Sequence, residues 1–187
     1  MKTFKPNNML FPMPVLIIST YNEDGTIDAM NAAWGTMEDI HMILIELTKD
    51  HKTSENILRN KAFTVAFCDV RNVDAADFVG IISNKTDKDK FAKTGWTAIK
   101  SNAVNAPIIT DLPVTLECEL DRVDETNGDF AVYGKIVSVT ARDDVINEKN
   151  MLDLDACQFL SYCSGDNSYR LVSSKIADAF KTGLKLK

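Results

Sequence analysis

Short apolar runs of strand length dominate the chain. Val15 to Tyr21 is apolar and β-branched, Asp24-Gly25 offers a tight turn, and a second extended run leads from Ile27 towards Ala33, which together predict a hairpin. Met42 to Leu47 (MILIEL) and Phe63 to Cys68 (FTVAFC) have strand length, with a helix start between them at HKTSENILRN. Val114 to Val123 and Phe130 to Ala141 predict two long strands flanking DETNGD, where Asn127-Gly128 suits a tight turn because both residues tolerate positive φ.

Helical spacing appears in NVDAADFVGIIS, where Ala75, Phe78, Val79 and Ile82 share one face behind a possible cap at Asn72. TDKDKFAKTG predicts a shorter helix capped by Thr86, with Asp87 and Asp89 near its positive end and Gly95 at its close. A last helix is predicted from about Ser173 to Lys181, with Ile176, Ala177 and Phe180 on one side. The stretch from Ala98 to Pro113 reads as a loop laid over the strands. Hairpins outnumber β-α-β alternations, so the expected fold is mainly β: an antiparallel barrel with peripheral α-helices.

Composition narrows the picture. A chain of 187 residues holds one substantial core, so residues 1–187 are read as a single domain, and 45% hydrophobic with 26% charged residues excludes disorder. The net charge of −6 is spread without a basic stripe, which argues against nucleic acid as a partner. No apolar run has the ~20 residues of a bilayer span, and Pro6, Pro12 and Pro14 interrupt the N-terminal stretch, so no membrane association and a cytoplasmic location are expected. The four cysteines form no C-x-x-C pair and read as buried reduced thiols, while two histidines are too few for a histidine-rich metal site.

Two segments carry candidate chemistry. In DHKTSENI, Lys52, Thr53 and Ser54 stand where a helix starts after a strand, and free N–H groups, two hydroxyls and a lysine there suit a phosphate. The same spacing also serves if Thr53 or Ser54 merely caps the helix. In MNAAWGT, small Ala32, Ala33 and Gly35 surround Asn31, Trp34 and Thr36, so a planar ring could approach the backbone, pair with Asn31 and lie against Trp34; equally, Trp34 could be core. In ISNKTDKDKF, Lys85, Lys88 and Lys90 are interleaved with Asp87 and Asp89, as on a solvated face. The chain has no G-x-G-x-x-G, no P-loop and no G-x-S-x-G elbow, so neither a Rossmann site nor a serine hydrolase is signalled.

Taken in order, FPMPVLIIST with the Asp24-Gly25 turn, MNAAWGT, HKTSENI, ADFVGIISNKTDKDKFAKTGW and KIADAFKTGLKLK resemble the flavin reductase-like, FMN-binding split-barrel family, and especially its flavoredoxin branch. The resemblance implies a six-stranded antiparallel Greek-key split barrel with peripheral α-helices, a homodimer, and FMN near the subunit interface. It implies that Asn31, Ala33, Trp34, Gly35 and Thr36 line the ring and ribityl chain, that Lys52, Thr53 and Ser54 hold the phosphate, and that Lys85 and Lys90 lie near the flavin or the partner subunit. The implied activity is an FMN-dependent oxidoreductase fed by NADH or NADPH. The alternative is an FMN-binding electron carrier that meets a redox partner protein and has no nicotinamide site of its own.

Overall fold

The computed structural model of the chain describes residues 1–6, 8–126 and 128–186. After the short strand β1 (Met13–Pro14), strands β2 (Leu16–Tyr21) and β3 (Ile27–Ala32) form the expected hairpin, with Gly25 at φ 81° in its turn. The chain continues through β4 (Gly35–Asp39), β5 (Met42–Thr48), helix α1 (Lys52–Asn60) and β6 (Ala62–Phe67). Helices α2 (Val73–Ile81) and α3 (Lys90–Lys93) come next. Then β7 (Ala98–Lys100) and β8 (Pro107–Ile109) make a two-stranded ribbon where a loop was expected. The long pair β9 (Val114–Thr126) and β10 (Asp129–Ala141) follows, then α4 (Leu154–Cys157), β11 (Leu160–Cys163) and β12 (Ser168–Leu171). Of the predicted Asn127-Gly128 turn, Asn127 lies outside the described residues; Gly128 takes φ +94°.

The main sheet has seven strands, in the order β3-β2-β6-β9-β10-β5-β4, rather than the expected six, and it does not close. The strand that sequence patterning passes over is β4: GTMED is exposed along most of its length and so shows no apolar alternation. It joins the sheet through its backbone pairing to β5. The two edges, β3 and β4, are consecutive in the chain and linked only by Ala33 and Trp34. The fold is therefore a mainly β split barrel with helices outside it.

One face of the curled sheet encloses a core of Leu16, Ile18, Ile43, Ile45, Leu47, Phe63, Val65, Leu116 and Val132, plugged at one end by Ile57 of α1. Burying such side chains contributes about 1.5–3 kcal/mol each. The opposite face of β2, β3 and β6 carries Ile17, Ala29 and Ala66, which, with Val15 just before β2, pack against Ala76 and Val79 of α2 and against Trp96. The buried pair on α2 is thus Ala76 and Val79, with Ala75 and Phe78 half-buried beside them.

The polar caps differ from expectation. Asn72 precedes α2 without capping it, because its amide donates to Asp69 and to the Asp111 carbonyl while its oxygen accepts from the Trp96 indole. Thr86 lies before α3 and donates to the Ser83 carbonyl, so that helix begins only at Lys90. The predicted helix from Ser173 to Lys181 is absent: Ile176 and Phe180 are wholly exposed, and an isolated helix this short is marginal without packing. Cys68, Cys118 and Cys157 are buried thiols; burial pushes Cys68 and Cys118 up to about 12 and Cys157 up to about 11. No described helix is long and apolar enough to cross a membrane.

Gly134 in β10 is where the barrel core tolerates no side chain, since a Cβ there would run into the buried Phe63 ring and sit 3.3 Å from the Cys118 Cβ. Gly134→Ala should therefore lower unfolding free energy by about 1–3 kcal/mol, the usual range for overpacking. Denaturant unfolding checks this, and a wild-type midpoint would mean that the ring has room to retreat.

Candidate functional site

Of three cavities near the start of α1 and the link between the sheet's two edges, two flank that link and the other adjoins one of them. The first, of about 130 Å³, is lined by Asp28 and Met30 of β3, by His51, Lys52 and Thr53 at the start of α1, by residues 79–84 at the end of α2, and by Lys90. The second, of about 320 Å³, is lined by Asn31, Ala33, Trp34, Asp77, Gly80, Ile81, Tyr162, Asn167 and Tyr169. Gly80 and Ile81 line both, so the two cavities are neighbours at the end of α2. The third, of about 580 Å³, lies on the other side of Trp34 and is bounded by the N-terminal segment from Asn8 to Pro14, by Ala33 to Thr36, and by Leu44 and Glu46.

At α1, no side chain caps the helix start, where His51 is the N-cap residue. Ser54 donates instead to the Thr48 carbonyl at 2.8 Å and is buried, and the Thr53 hydroxyl donates to Asp28 Oδ2. The capping alternative is therefore not realised, and neither hydroxyl points outward as a spare donor. Thr53 and Lys52 line the first cavity, whereas Ser54 is absent from all three linings. The first-turn N–H groups and the Lys52 ammonium remain as the anion-attracting elements there. Lys52 is 3.2 Å from Glu55, whose carboxyl is held below its usual range chiefly by Lys85.

The sequence pattern gave no weight to Asp28 and little to Lys90, yet both are buried in this cavity. Their side chains are 1% and 4% exposed, with the Lys90 ammonium 3.8 Å from Asp28 Oδ1. That oxygen accepts no hydrogen bond among the described residues. Burial pulls the Lys90 pKa down, and the Asp28 charge partly restores it. The signal that could have exposed Lys90 is its place beside Phe91 on a helix whose other lysine, Lys93, pairs outward with Asp87.

At the other end, β3 holds Asn31 against α2. Asn31 Nδ2 donates to the Ala76 carbonyl at 3.1 Å and to the Tyr169 hydroxyl at 3.2 Å, and that hydroxyl donates to Asp77 Oδ1 at 2.8 Å. Both amide hydrogens being committed, the orientation is fixed and Oδ1 is left as an acceptor. The close approach depends on Gly80, where a Cβ would stand 3.1 Å from the Asn31 Cβ. Burial, then Asp77, raises the Tyr169 pKa, so the hydroxyl stays protonated. Trp34, half-exposed, forms the wall between the second and third cavities; Ala33 lines both, while Gly35 and Thr36 line only the third. Among the described residues no cluster of His, Cys, Asp and Glu could hold a metal ion.

The profile of the family described as "Flavin reductase like domain" matches residues 8–162, which include all of these site residues except Asn167 and Tyr169. Among solved structures, flavoredoxin of Desulfovibrio vulgaris (Miyazaki F) superposes with a TM-score of 0.91 at 25% identity, covering 98% of this chain and 99% of its own. The FMN-binding protein from Thermus thermophilus, solved with 1-cyclohex-2-enone, shares the fold with a TM-score of 0.77 at 16% identity, covering 95% and 100%. An uncharacterized protein of Aeropyrum pernix is 22% identical over 138 residues, 73% of this chain, and the chain spans only 52% of that relative's length.

The Asp28–Lys90 pair has a direct energetic consequence. Lys90→Met should destabilise the fold by about 3–5 kcal/mol by leaving a buried carboxylate unpaired, whereas Asp28→Asn with Lys90→Met should cost far less. Because the Lys90 pKa is lowered in the folded state, the unfolded chain binds more protons just below 10.5, so wild type should gain stability relative to Lys90→Met as pH rises through that window. Chemical denaturation at several pH values measures both effects, and equal costs for the single and double variants would show the pair to be uncoupled.

Proposed function

The chain belongs to the flavin reductase like family, and from that premise we propose that it binds FMN non-covalently and works as an NAD(P)H-dependent oxidoreductase. The observation that carries this reading is that the cavity at the cationic start of α1 and the cavity walled by Trp34 adjoin at Gly80 and Ile81. A mononucleotide has the same polarity: an anion at one end and a flat ring at the other. The Thermus thermophilus protein of the same fold is named for FMN binding.

FMN, when bound, supplies the hydride and electron chemistry; the chain binds it, orients it and tunes it. Lys52, assisted by the first-turn N–H groups of α1, would hold the phosphate. Lys90 would offset the Asp28 charge close by, so that two lysines face one aspartate in that cavity. Thr53 keeps Asp28 in place through its hydroxyl, and so contributes to the phosphate end by its backbone. Asn31 Oδ1 would accept from a ring N–H, and Trp34 with Ala33 would bound the ring. The third cavity, reached from the far side of Trp34, gives a donor such as nicotinamide room beside that wall.

The likeness to flavoredoxin favours a second reading, an electron carrier reduced by a partner protein. Anaerobic mixing of the FMN-loaded chain with NADH, with NADPH and with a reduced ferredoxin distinguishes the two. Bleaching by either nicotinamide supports the oxidoreductase; bleaching by ferredoxin alone supports the carrier. Binding itself is tested by titration: Lys52→Ala should weaken FMN by roughly 10- to 150-fold, the equivalent of a charge-assisted hydrogen bond of about 1.5–3 kcal/mol. Unchanged affinity would put the phosphate elsewhere, and a chain that binds no FMN would end the proposal.

A further inference from the structure

The cavity at the start of α1 holds a buried acceptor that no donor among the described residues satisfies. The Asp28 side chain is 1% exposed; its Oδ2 accepts from the Thr53 hydroxyl, whereas Oδ1 accepts no hydrogen bond and lies 3.8 Å from the Lys90 ammonium. An ionised carboxylate can only accept, and leaving one of its oxygens desolvated without a donor is costly. A group that fills this cavity against Asp28 therefore stabilises the site by bringing an O–H or N–H with it. A fully ionised phosphate ester brings neither: its oxygens are acceptors too, and like charges side by side repel.

The charges around the cavity point the same way. Lys52 and Lys85 both pair with Glu55, and Lys90 faces Asp28, so three ammonium groups meet two carboxylates and leave a single positive charge. The first-turn N–H groups of α1 add partial positive charge, and the His51 imidazole stands at the same helix start. One net positive charge balances a monoanion better than a dianion. A phosphate monoester loses its second proton near pH 6, so both forms are at hand around neutrality.

We propose that this cavity takes the phosphate monoester in its singly protonated form, the P–OH donating to Asp28 Oδ1 while the ionised oxygens meet Lys52 and the first-turn N–H groups. This rests on FMN being the ligand, and adds the protonation state that the site selects. Asp28 decides between the two ionic forms, and Thr53 is a positioning residue that holds it through Oδ2. The consequence is a reversed pH dependence. A purely cationic site grips the dianion more tightly, so its affinity climbs through the phosphate pKa. A site with an acceptor facing the P–OH loses affinity there, because the form that binds is titrated away.

The test uses the full chain with FMN. From pH 6 to pH 8 FMN affinity should fall by about 50-fold, the ratio of the singly protonated fractions of an ester with a pKa near 6, while riboflavin, which has no phosphate, keeps its affinity. ³¹P NMR of bound FMN should show the singly protonated ester at pH 7.5, where free FMN is mostly doubly ionised. Asp28→Asn, whose amide can donate where the carboxylate cannot, should flatten or reverse the slope. His51→Gln, which removes the side-chain type that ordinarily changes charge in this window, should keep it. A doubly ionised resonance in the bound wild type, affinity that is level or rises with pH, or a slope kept by Asp28→Asn or abolished by His51→Gln would each overturn the proposal and leave FMN binding intact. Equal losses of riboflavin and FMN in Asp28→Asn would give Oδ1 to a ribityl hydroxyl and overturn it too; a chain that binds no FMN would end both readings.

Discussion

The two-residue link between β3 and β4 governs the rest of the structure. These strands are the opposite edges of a seven-stranded sheet, yet the chain passes from one to the other through Ala33 and Trp34 alone. Three virtual bonds of 3.8 Å span at most about 11 Å, so the sheet must curl until its edges almost meet. Neighbouring strands sit about 4.8 Å apart, so a gap of this order leaves room for side chains where a closed barrel would have a ladder. Curling gives the barrel its dry interior, and the unclosed seam gives it its cavities.

A charged pair is buried where α1 and α3 meet β3. Asp28 lies on β3, and α1 presses Thr53 against it while α3 brings Lys90 from outside. A buried carboxylate with one unpartnered oxygen is costly unless another charge is close. Lys90 meets that need only loosely, at 3.8 Å, and so leaves its ammonium available to the cavity it lines.

The hairpins, α1 and the long β9–β10 pair were legible because each has a local signal: β-branched alternation, a turn dipeptide, a helix start after a strand. What stayed hidden was set by partners distant in sequence. β4 has no apolar pattern and becomes a strand only through β5. Asn72 has the identity of a cap, but Trp96 and Asp111 claim its side chain. The C-terminal segment has helical spacing, yet its Ile176 and Phe180 stay exposed and no helix forms. At the site, the sequence brought forward both cavities, with Asn31, Ala33 and Trp34 at one and Lys52 and Thr53 at the other. It could not show that Ser54 turns inward, nor that Gly80 lets α2 approach Asn31 and borders both cavities.

Trp34 gains its importance from this geometry rather than from its size. A tryptophan in a strand interior would have one face in the core and be silent, but in the link it belongs to neither edge. It consequently walls the cavity of Asn31 on one side and the large apolar cavity on the other. Asn31, two residues before Ala33 and on the last ladder positions of β3, is rigid because its amide is bound on both hydrogens. Asn31 is thus held by side-chain hydrogen bonds, whereas Trp34 is tied through its backbone carbonyl, which accepts from the Glu46 N–H at 2.9 Å.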